Sequence, residues 1–81
     1  MKIKINANEV ITREFSETHG QCVENVYTRQ AGGWRMAWRE CGNNRANCPG
    51  HLHVCADVSD VDVFLDVEST LDHGGVVRLH W

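Results

Sequence analysis

Between Ala46 and Val77 the chain contains no lysine and no arginine. Six acids fall in that window: Asp57, Asp60, Asp62, Asp66, Glu68 and Asp72. The rest of the chain carries eight basic and five acidic residues, so the net charge of −3 is the sum of +3 outside the window and −6 inside it. Long apolar runs are also missing, and nothing approaches the ~20 residues that a bilayer-spanning helix needs. The opening MKIKINANEV lacks the apolar centre and cleavage site of a secretory signal. No nucleophile elbow, zinc-protease helix, P-loop or dinucleotide fingerprint occurs, and a chain of 81 residues has little room for a substrate cleft. The expectation is a cytoplasmic protein, in a bacterial or host cell cytosol, that is not an enzyme and needs no cofactor.

What is present fits an ordinary folded domain. Hydrophobic residues make up 42% and charged residues 23% of the chain, a composition that argues against disorder. Residues 1–81 are expected to form a single domain with a small core, since a chain of this size buries only about 60% of its unfolded surface.

Period-two alternation marks the strands. It runs through MKIKIN (residues 1–6) and, with a helical alternative, through EVITREFSE (9–17). QCVENVYTRQ and GWRMAWREC form the arms of a hairpin, joined where Gly32 and Gly33 can supply the positive φ of a tight turn. On the second arm Trp34, Met36 and Trp38 share one face and Arg35, Ala37 and Arg39 the other. In HLHVCADV, Leu52, Val54, Ala56 and Val58 alternate with His51, His53, Cys55 and Asp57. Residues 60–73 read as a helix: Ser59 and Asp62 resemble a capping box, Val63, Phe64, Val67 and Leu71 make an apolar stripe, and Gly74 and Gly75 stop it. The predicted fold is α+β, a small, mostly antiparallel sheet of about five to six strands covered by this helix. An all-β meander is the alternative, because Val61, Val63, Leu65 and Val67 also alternate with acids.

Two pairs have metal-ligand spacing, His19 with Cys22 and Cys48 with His51, each with two intervening residues. They make zinc the candidate metal of a thiol-rich interaction module. The competing reading packs the cysteines as small hydrophobes. Cys41 and Cys48 bracket a loop that a disulfide could close, for roughly 2–3 kcal/mol, leaving Cys22 and Cys55 as the other pair. Such bridges are rare in a reducing cytosol.

The acidic window is the other candidate. On a helix, Asp62 and Asp66 fall opposite the apolar stripe, with Glu68 and Asp72 on a flank. Such crowding slightly disfavours folding, unless a cationic partner uses it. The expectation is a small acidic binding or inhibitor protein that sets Asp57, Asp60, Asp62, Asp66, Glu68 and Asp72 against a basic, nucleic-acid-binding surface of a larger protein. Arg35 and Arg39 would make a second contact. No direct nucleic-acid or membrane binding is expected, and Trp81 and the strand edges allow a homodimer. In size and charge layout, though in no residue motif, the chain resembles inhibitors carried by phages and mobile elements, such as anti-CRISPR and anti-restriction proteins.

Overall fold

The computed structural model describes residues 4–42 and 51–81. Five strands and one helix follow one another as β1 (Glu9–Ser16), β2 (Gln21–Gln30), β3 (Gly33–Gly42), β4 (His53–Val58), α1 (Asp60–Asp72) and β5 (Val76–His80). The strands form one sheet in the order β4-β3-β2-β1-β5, every neighbouring pair antiparallel. The helix crosses one face of the sheet and packs on β1, β5 and β3. The α+β expectation holds, and the all-β meander is excluded because residues 60–72 are helical.

The hairpin forms where its glycines stand. Gln30 pairs with Gly33, leaving Ala31 and Gly32 as the turn, and Gly32 has φ 81°, a conformation that side chains with a Cβ rarely adopt. Gly33 is needed for a different reason. A Cβ there would lie 2.6 Å from the Val58 carbonyl oxygen, so only glycine lets β4 approach at this point.

Register assigns the two faces. Towards the helix point Leu79, Val10, Tyr27, Met36 and Ala56 in one row, and Val77, Thr12, Asn25, Trp38 and His53 in the next. The core forms here, from Ala7, Val10, Tyr27, Trp34 and Val63, with Ile5, Met36, Val58, Val67 and Val77 packed around it. Arg29 lies over the Trp34 ring, 4.2 Å from its centroid. On the far face Arg13, Glu24 and Arg39 are neighbours across three strands, and Glu24, buried, pairs with Arg39 at 2.9 Å and with Arg13 at 3.4 Å.

Three expectations are corrected. The strand read over residues 1–6 does not form at residues 4–6, and residues 1–3 lie outside the described residues. Ile5 and Ala7 instead pack into the core while their carbonyls accept hydrogen bonds from Arg29. The alternation expected through β4 breaks at a register shift, so His53, Ala56 and Val58 face the helix side while Val54 and Asp57 face away. A bulge inserts one residue and resets the pleat.

The third correction concerns α1. Its buried residues are Val63 and Thr70, whereas Leu71, expected in the apolar stripe, is 58% exposed. The inward line is Val63, Asp66, Val67 and Thr70, and Asp66 points at the sheet rather than away from it.

Candidate functional site

The acidic helix is built by its own sequence. Ser59 accepts from the Asp62 backbone N–H, and Asp62 accepts in turn from the Ser59 N–H and hydroxyl at 2.9 Å, a complete capping box. These bonds, the backbone one first, hold the exposed Asp62 carboxyl below the usual carboxylate range. At the other end Gly74, with φ 75°, terminates the helix.

The six acids have different jobs. Asp60 accepts from the buried Trp34 indole Nε1 at 2.5 Å. Asp66 is the hub of a polar cluster: its Oδ2 accepts from Thr12 at 2.7 Å, Tyr27 at 2.5 Å and Asn25 at 3.2 Å, and its Oδ1 from Thr70 at 3.3 Å. Burial, and then the hydrogen bond to Asp66, push the Tyr27 phenol well above its ordinary pKa. Asp57 accepts from Gln30 at 2.8 Å and sits opposite Arg35 on the sheet face away from the helix. The carboxylates of this segment that take internal partners therefore take neutral donors. Glu68 and Asp72 remain exposed on α1, beside the 55% and 54% exposed Val61 and Leu65.

The fold adds acids that the window did not include. A hollow of about 450 Å3 at the C-terminal end of α1 is lined by Glu14, Phe15, Glu17, Ser69 and His73. The last helical turn has no basic residue, so the negative end of the helix dipole adds to Glu14, Glu17, Glu68 and Asp72. His73 Nδ1 donates to the Ser69 carbonyl at 2.7 Å. Glu14 and Glu17 lie about fifty residues before Glu68 in the chain; only the β1–α1 packing brings them here.

Arg35 and Arg39 stand on the opposite sheet face, and Arg39 is committed to Glu24. A partner seated on α1 would not touch them. The expected zinc ligands do not converge where they are described. The His19 ring bonds Ser16 and tilts against Trp38, 5.3 Å between centroids, with His53 stacked on the same Trp38 at 4.6 Å. Alternation puts Cys22 with Glu24 and Val26 on the other face. His51 is exposed ahead of β4, and Cys48 lies outside the described residues. Among the described residues no group of three or more His, Cys, Asp or Glu side chains is placed to hold a metal. Cys41 is buried and disulfide-bonded. Cys22 and Cys55 are free thiols, so the second bridge between them is not formed. Among the described residues no helix is long and apolar enough to cross a membrane.

Compared with protein-family models, curated proteins and solved structures, the chain finds no match.

Proposed function

We propose that this protein is a small acidic binding or inhibitor protein that docks the outer surface of α1 on a basic surface of a larger protein. The observation that carries the reading is the exposed mixture at the outer and C-terminal part of α1. Val61 and Leu65 offer apolar contact area, Glu68 and Asp72 continue the same exposed face, and Glu14 and Glu17 add negative charge at the C-terminal end that no basic residue of the last turn offsets. Protein interfaces commonly set apolar contact beside charged groups at the rim. Complementary charge speeds encounter and selects the partner more than it sets final affinity.

Basic surfaces in cells are mostly nucleic-acid-binding sites. A protein held there by carboxylates excludes phosphate from the same cations, which makes inhibition by occupancy the natural outcome. The same carboxylates repel phosphate, so the protein does not itself bind nucleic acid. The reading requires no catalytic group.

The test is affinity capture from cell extract at low and high ionic strength, with the wild type and with a variant carrying Glu14→Gln, Glu17→Gln, Glu68→Gln and Asp72→Asn. Asp60, Asp62 and Asp66 are left intact because they hold the fold. The captured protein should be one that binds nucleic acid. Its retention should fall steeply with salt and drop about tenfold or more in the variant. Retention indifferent to both salt and the four substitutions would sink the proposal.

A further inference from the structure

Among the described residues the sheet ends in two edges, β4 and β5. The β4 edge is interrupted by its register shift, and bulges protect edges from adding strands. The β5 edge has a continuous register with β1, with no bulge, proline or lysine. Val76 and Leu79 in the strand, and Trp81 just after it, are 51%, 40% and 76% exposed. A row of unpaired backbone groups flanked by apolar side chains accepts another strand.

We propose that β5 joins two copies of this chain as an antiparallel, two-fold dimer centred on Leu79. A two-fold axis perpendicular to the sheet reverses the strand and preserves its faces, so directly opposed residues must share parity. Three registers pair three or more residues of the strand, centred on Val77, Arg78 or Leu79, and of these only the last sets Trp81 against a residue of the strand. Centring on Arg78 sets that guanidinium against its own copy, and like charges directly opposed are destabilising. Centring on Leu79 opposes Leu79 with itself, Val77 with Trp81 of the second copy, and Arg78 with His80 of the second copy. Because His80 pairs with Glu9, Arg78 then shares a row with Glu9 of the second copy, two strand spacings or about 10 Å away across His80, and symmetry repeats the arrangement. Charge complementarity selects this register.

The same geometry covers side chains that are otherwise exposed. Asp62, on one flank of α1, lies beside Gly33 and Val58 of the β3–β4 side. Helical spacing therefore turns Phe64 and Leu71 to the β5 side. In the dimer Leu71, Leu79 and Trp81 of both copies meet above a sheet of ten strands, five from each. The two acidic helices then lie on one side, doubling the negative surface.

The experiment measures solution mass by sedimentation across a range of protein concentrations. The result expected is twice the 9.2 kDa of one chain. Arg78→Glu should raise the dissociation constant about tenfold or more, and adding Glu9→Lys to it should restore dimerisation. In a Cys22→Ser, Cys55→Ser background, Leu79→Cys should crosslink to itself under mild oxidation and Arg78→Cys should not. Circular dichroism checks that each variant is folded. A monomer at every concentration overturns the proposal. Crosslinking through Arg78→Cys but not Leu79→Cys, or charge reversal without rescue, overturns it equally.

Discussion

Asp66→Ala tests the account of α1 most directly. In the wild type the carboxylate receives Thr12, Tyr27, Asn25 and Thr70. Thr12 is 1% and Tyr27 3% exposed, so their hydroxyls have no water to turn to when the acceptor goes. Thr70 can fall back on the backbone of its own helix, and the half-buried Asn25 keeps access to solvent. Two stranded donors at about 1–3 kcal/mol each put the cost near 4 kcal/mol. An 81-residue domain has roughly 4–12 kcal/mol in total, so the variant should lose at least a third of its stability. Urea unfolding followed by tryptophan fluorescence measures this, with a shifted midpoint and an unchanged slope. Asp66→Asn retains one acceptor and should cost about 1–2 kcal/mol. Removing donors and acceptor together, as Asp66→Leu with Tyr27→Phe and Thr12→Val, should recover most of the loss, because a polar cluster replaced whole leaves nothing unsatisfied. A loss below about 0.5 kcal/mol for Asp66→Ala, the range of an ordinary surface change, would show that Asp66 is a solvent-facing acid and refute the reasoning.

Two further outcomes follow from the titrating groups. Tyr27, the only tyrosine, has its pKa raised by burial and by Asp66. The unfolded chain ionises near pH 10 while the folded chain does not, so stability is full below that pH and falls as pH rises above it. Phenolate absorbance should appear only together with unfolding, and its appearance near pH 10 in a folded protein would contradict the burial. Asp62 has its pKa lowered by the cap, so its contribution is present above the ordinary carboxylate range and is lost as pH falls through its folded pKa. Ser59→Ala should cost about 1 kcal/mol in thermal or urea unfolding and move the Asp62 titration, followed by NMR, back towards the ordinary range.

The strands were legible because alternation is short-ranged. Trp34, Met36 and Trp38 separate from Arg35, Ala37 and Arg39 as their spacing requires, and the Ser59–Asp62 cap and the glycine stop mark the helix ends. The inner face of α1 was not legible. Val61, Val63, Phe64, Leu65, Val67 and Leu71 spread over more than half of the helix circumference, so aliphatic spacing alone does not choose which line turns inward. The choice is made by Thr12, Asn25 and Tyr27, whose donors in the sheet need an acceptor and draw Asp66 inward. The reset in β4 escaped for a related reason: a bulge leaves no period of its own in the six residues of that strand.

This redistribution changes where the proposed cationic partner would sit. Counted along the chain, the six acids suggest a stripe running the length of the helix. In the fold Asp60 and Asp66 are spent on Trp34 and the Thr12–Tyr27 cluster, Asp62 closes the cap, and Asp57 belongs to the other face. The surviving charge gathers at the C-terminal end, where Glu14 and Glu17 join it across the hollow beside Ser69 and His73. At the N-terminal end the cap carboxylate meets the positive pole of the dipole and is partly offset. At the C-terminal end charge and dipole have the same sign and reinforce each other. Screening at physiological salt limits exposed charges to about 8 Å, so such a pole acts on what touches it rather than on distant groups. If the protein docks as proposed, the contact that decides partner choice belongs to the last turns of α1 and the end of β1, and neutralising Glu14 and Glu17, far from the acidic window, should matter as much as neutralising Glu68 and Asp72 within it.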